Sequence, residues 1–85
     1  MNAMKANDLQ HVFRSNLRAI REAKNLSQRA LASKANSAQN TISELESGKA
    51  SPTLAMIEKL CQALEIDSDV LLTEAGAEIF LSAAA

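Results

Sequence analysis

Apolar residues recur at helical spacing through most of the chain, and the phase of that pattern breaks at a few short polar stretches. Leu9, Phe13, Leu17 and Ile20 form one stripe, which predicts a first helix capped by Asp8 and running to about Lys24. Ser27 opens the next: its hydroxyl can accept from the free N–H groups of a helix beginning at Gln28, and Leu31, Ala32 and Ala35 supply its apolar face. Asn36 tolerates the left-handed conformation that ends a helix sharply. A third helix starts near Ala38, places Ile42 and Leu45 inward and stops at Gly48. Pro52 and Thr53 launch a fourth, with Thr53 as N-cap and Leu54, Ile57, Leu60 or Cys61, and Leu64 as the apolar face. Glu65-Ile66-Asp67 reads as a turn, with Ile66 inward and Asp67 capping a fifth helix through Val70, Leu71 and Leu72.

This pattern predicts an all-α fold of five compact helices with a C-terminal helical extension. Residues 1–7 lack caps and periodicity and read as a flexible leader, with Lys5 the sole basic residue for any arm into a minor groove. Residues 8–72 make the domain, and residues 73–85 the extension. Gly76 interrupts that tail, yet Ile79, Phe80 and Leu81 are apolar for an end segment. The stretch from Val70 to Leu81 is therefore read as a dimer surface with Val70, Ile79, Phe80 and Leu81 in the interface and Phe80 as anchor. The competing reading folds the tail back onto its own core.

Two short helices joined by a tight turn, the second showing Gln39, Asn40, Ser43 and Glu44 outward, form a helix-turn-helix. The combined pattern Leu26-Ser27-Gln28, Leu31-Ala32, Thr41-Ile42-Ser43, Leu45-Glu46, Gly48-Lys49, Pro52 and Leu54 resembles the Cro/repressor-type (XRE-like) helix-turn-helix family of bacteria and phages, from about Phe13 to Leu72. The resemblance implies a DNA-binding regulator. Relatives usually carry Gly where Asn25 and Asn36 stand, an apolar residue at Ser37 and a capping hydroxyl at Ala38. It also implies a structural ion pair between Arg21 and Glu46, tying the first helix to the recognition helix, and a phosphate contact at Lys49.

Length and composition narrow the alternatives. Eighty-five residues, 47% of them hydrophobic, make one small domain whose core gains from association. No apolar run approaches membrane-spanning length and no signal peptide is evident, which predicts a cytoplasmic protein. The single cysteine, Cys61, can form no internal disulfide, and zinc-type metal sites are excluded by the same count. Among Ile57, Leu60 and Leu64 it reads as a small buried hydrophobe. His11 has no nucleophile or carboxylate constellation around it, so no catalysis and no cofactor are expected. The net charge is −1, but residues 1–49 carry eight Lys/Arg against four Asp/Glu, and residues 50–85 carry one against six. A basic first half suits a DNA-facing surface.

The function expected is a sequence-specific transcription regulator, in the sense of a repressor, bound as a homodimer to a two-fold operator in double-stranded DNA. Gln39 and Asn40 would read bases, since either amide can pair bidentately with the N6/N7 edge of adenine, with Ser43 and Glu44 beside them. Gln28, Arg18, Thr41 and Lys49 would contact phosphates. No small-molecule ligand is evident. The alternatives are an antitoxin or a restriction–modification controller on the same scaffold, or a protein-interaction module, the last of which the acidic second half and the plain Ala50-Ser51 loop favour.

Overall fold

The computed structural model describes residues 6–84, in which six helices follow one another: α1 (Ala6–Ala23), α2 (Gln28–Lys34), α3 (Gln39–Ser47), α4 (Leu54–Leu64), α5 (Ser68–Leu72) and α6 (Gly76–Ala84). The five expected helices are present, and the extension supplies the sixth. The expected leader lies outside the described residues up to residue 5; Ala6 and Asn7 belong to α1.

Four of the helices stop in the same way. Asn25, Asn36, Gly48 and Glu65 take left-handed backbone with φ of 58°, 52°, 82° and 56°. In each case the following residue donates its N–H to the carbonyl five residues earlier: Leu26 to Arg21, Ser37 to Ala32, Lys49 to Glu44 and Ile66 to Cys61, at 2.8–3.1 Å. This closure satisfies carbonyls that a helix end would otherwise leave orphaned, and it turns the chain abruptly. Asn adopts that backbone at modest cost. Glu65 has no such licence, and its strain is offset by the bonds its turn closes. Starts are equally local: Ser27 Oγ accepts from Ala30 N and Thr53 Oγ1 from Met56 N, each at 3.0 Å.

The core brings together Phe13, Leu17 and Ile20 of α1, Leu31 and Ala32 of α2, Ile42 and Leu45 of α3, Leu60 and Leu64 of α4, Leu71 of α5 and Ala77 of α6. α1 runs through the middle of this arrangement, against α3, α5 and α6. Asn16 is buried on α1, where Nδ2 donates to Leu71 O at 3.0 Å and Thr73 O at 2.8 Å. Its amide thereby ties α1 to two carbonyls at the end of α5, of which Thr73 O also accepts from Gly76 N at 3.0 Å.

Several expectations are corrected. α1 already includes Ala6 and Asn7, so Asp8 stands within the helix and not at its N-cap position. Leu9 is 41% exposed, and the inward stripe of α1 instead includes Val12 and Asn16. Leu54, expected on the apolar face, is 82% exposed, while Met56 and Ile57 of the same turn pack against the core. Asp67 holds the N-cap position of α5 without a side-chain hydrogen bond. Cys61 is half-buried; burial first, and then the charges of Asp67 and Asp69, push its thiol pKa up, which suppresses the reactive thiolate.

The tail lies on the body of the protein. α6 packs against α5 and α1, Ala77 is buried, and Phe80 and Leu81 pack partly against the core. Lys24 Nζ sits 5.6 Å from the centre of the Phe80 ring, a cation–π contact between the end of α1 and α6. Gly76 makes the approach possible: a Cβ there would lie 2.3 Å from Val70 O and 2.7 Å from Asp69 O, both backbone atoms. Gly76→Ala is therefore expected to push α6 off α5 and cost about 1–3 kcal/mol, as overpacking of a closed site does. Urea unfolding checks this; an unchanged midpoint would mean that α6 shifts freely.

Candidate nucleic-acid interface

α3 is amphipathic in a way that separates structural residues from displayed ones. Ile42 and Leu45 are buried against α1 and α2, while Gln39, Asn40 and Glu44 are exposed on the opposite side with the half-buried Ser43 between them. At 100° per residue these four positions share one face. Exposed Ser47 extends it by one turn and was not anticipated; its Oγ donates to Glu44 O at 3.3 Å. Thr41 is half-buried toward the flank, outside that face. Ala38 takes the extended backbone of an N-cap with no side-chain bond to the first turn. The hydroxyl that would cap the helix stands one residue early, at Ser37.

The orientation of α3 is held by a buried charged cluster. Arg21 Nε donates to Glu46 Oε2 at 2.7 Å and Nη2 to Glu46 Oε1 at 3.0 Å, a bidentate pair with side chains only 11% and 5% exposed. Arg21 Nη1 also donates to Leu26 O at 2.7 Å, on the turn between α1 and α2. Hydrogen bonding to Glu46 raises the Arg21 pKa above its ordinary value; burial opposes this, and the charges of Glu46 and Glu22 add to it. Gln28, expected on phosphate, donates Nε2 to Glu46 Oε1 at 3.1 Å, so one of its two amide N–H groups is used within the protein. One carboxylate thus gathers α1, the start of α2 and α3. Such a pair contributes little net stability against its desolvation, and its bidentate geometry links α3 directly to α1.

The remaining basic residues differ in what they already bind. Arg18 is exposed and pairs with Glu22 one turn on, at 3.2 Å. Such a surface pair is worth about 0.3–0.5 kcal/mol and yields readily to a phosphate. Lys49 is exposed at the end of α3. Arg14, not singled out in the sequence, lies against the same end: an ideal Cβ at Gly48 would be 3.0 Å from Arg14 Nη1. Its spacing carried the signal, since seven residues before Arg21 is the same face of α1 two turns earlier.

Comparison with known proteins agrees with this geometry. Residues 17–71 match the profile of a family described as helix-turn-helix. None of the curated proteins matches. Among solved structures, the chain is similar to the hypothetical transcription factor NHTF from Neisseria, at 27% identity and a TM-score of 0.78, covering 95% of this chain and 93% of that one. It is also similar to the clp gene regulator ClgR from Corynebacterium glutamicum, at 29% identity and a TM-score of 0.73, covering 89% of this chain and 81% of that one. A second ClgR structure matches at 25% identity and a TM-score of 0.66, covering 89% and 88%. With its fold, its motif and the family profile in agreement over most of its length, the chain belongs to the Cro/XRE-type helix-turn-helix family of DNA-binding transcription regulators.

Proposed function

We propose that the protein represses transcription by occupying a two-fold operator as a homodimer, with α3 in the major groove. The observation that carries this reading is the display of Gln39 and Asn40 at the free N-terminal end of a helix whose other face is buried and pinned through Glu46. That end of a recognition helix meets base edges. Gln39 and Asn40 read adenine through paired amide bonds, and Ser43 and Glu44 add discrimination, Glu44 by accepting from cytosine N4. Lys49, Arg18, Thr41 and Gln28 hold phosphates, Gln28 with the amide N–H that Glu46 leaves free. The C-terminal extension, residues 73–85, supplies dimerisation through Ile79, Phe80 and Leu81, with Val70 of α5 beside them. Occupation of a promoter suffices for repression.

Selection of bound sequences from a random duplex pool tests the whole reading. Two-fold sites should emerge, with half-sites centred roughly one helical turn, ~34 Å, apart. Enrichment of isolated half-sites would sink the homodimer, and no enrichment at all would sink sequence-specific reading. Gln39→Ala should then lose roughly 1–3 kcal/mol of discrimination at one base position while binding to random DNA barely changes. Titration of single-base variants of the selected site measures this; equal losses on specific and random duplex would make Gln39 a phosphate contact.

A further inference from the structure

We propose that Arg14 is a phosphate-binding residue, acting with Lys49 at the C-terminal end of α3 to hold the DNA backbone beside the recognition helix. The proposal rests on the reading of α3 as the helix that enters the major groove. Three observations support it.

Arg14 is placed by tertiary structure against the end of the displayed helix. Nη1 and Cζ would stand 3.0 and 3.3 Å from a Cβ at Gly48, so the guanidinium lies against the backbone from which Lys49 projects. The left-handed φ of 82° favours glycine at position 48, and a Cβ there would require the Arg14 side chain to give way slightly. The side chain is half-buried, its reach limited by this packing.

The guanidinium is also uncommitted. The other two arginines of α1 have carboxylates: Arg18 has Glu22, and Arg21 has Glu46 and Glu22. Arg14 has no ion pair among the described residues. The one hydrogen bond found for it there joins Nη2 to His11 Nδ1 at 3.5 Å, the outer limit for such a bond. A guanidinium carries five N–H donors, so most remain available, and their forked geometry matches phosphate.

Nor is Arg14 needed to close the helix beside it. The Glu44 carbonyl, the acceptor at the end of α3, already receives N–H bonds from Lys49 at 3.0 Å and Ala50 at 3.2 Å, and the Ser47 hydroxyl at 3.3 Å. A cation at this corner stands at the same end of α3 as Lys49, which is also without an ion pair among the described residues. Two cations at one end of α3 and amides at the other divide the labour between backbone positioning and base reading.

The test is duplex binding as a function of salt for the wild type, Arg14→Gln, Arg14→Lys and Gln39→Ala, with thermal unfolding of each. Each phosphate contact contributes about 0.9 to the slope of log affinity against log salt. Arg14→Gln is expected to lower that slope by about one, on selected and random duplex alike. Its affinity loss at 50 mM salt should exceed that at 200 mM by about 3–4-fold. Arg14→Lys, which keeps the charge, should keep the slope, and so should Gln39→Ala. An Arg14→Gln slope equal to that of the wild type overturns the proposal, whatever happens to overall affinity. So does loss of slope in Arg14→Gln and Arg14→Lys alike, accompanied by a lowered unfolding temperature, because Arg14 would then be a packing residue. A flat slope for the wild type overturns the DNA reading itself and the Arg14 contact with it, which separates the two failures.

Discussion

Arg21→Met should lower the stability of the domain by about 3–5 kcal/mol, the cost of leaving one member of a buried ion pair without its partner. Glu46 would remain in a site where its side chain is 5% exposed, keeping only the Gln28 amide at 3.1 Å as a donor outside its own helix. The Leu26 carbonyl would lose its guanidinium donor as well. For a small domain with a total stability of about 5–15 kcal/mol, this is a large fraction. The double variant Arg21→Met/Glu46→Met should recover most of the loss, because two apolar side chains of similar volume replace a desolvated pair at little net cost. Its DNA affinity should nevertheless stay low, since the bonds that link α3 to α1 are gone. Urea unfolding of all four corners of the cycle measures the coupling, and duplex titration measures the binding. Single-variant losses below about 1 kcal/mol would put the pair in the class of exposed ion pairs and remove its orienting role.

Ile79→Asp is expected to convert a dimer to a monomer and to lower affinity for a two-fold operator by ~10²–10⁴, the gain forfeited when a second linked contact is lost. Phe80 was the anchor suggested by sequence, but it packs partly against the protein's own core and beneath Lys24, so a charge there would disturb folding and assembly together. Ile79 is 66% exposed on α6, next to that packed pair, and can be changed without opening the core. A charge introduced there is uncompensated only if another surface covers it. Sedimentation reads the assembly state and urea unfolding checks that the monomer fold persists. A variant that still sediments as a dimer would move the interface off α6, and a monomeric wild type would dispose of the dimer altogether.

Local chemistry explains why so much of the architecture was legible. Ser27 and Thr53 announce helix starts because their hydroxyls satisfy N–H groups within one turn. Asn25, Asn36 and Gly48 announce stops because few residues accept a positive φ. Glu65 breaks that rule. It adopts the same backbone, φ 56°, only because the packing of Ile66 and the bond from Ile66 N to Cys61 O hold it there. Nothing in its side chain signals this.

The chain's own order of residues determined the helix count, the helix-turn-helix and the face that α3 displays, since spacing at 3.6 residues per turn and capping are both properties of a few neighbours. Tertiary structure decided where the stripes end and what each polar group is for. It left Leu9 and Leu54 outside the core, and it sent the Asn16 amide to carbonyls 55 and 57 residues away. It drew Gln28 onto Glu46, laid α6 over α5 through a glycine with no room for a methyl group, and set Arg14 against Gly48. A helical period names the side of a helix that a residue occupies. What waits on that side, a carboxylate, a carbonyl or open water, depends on how helices distant in sequence pack, and that is settled by the shape of the whole core.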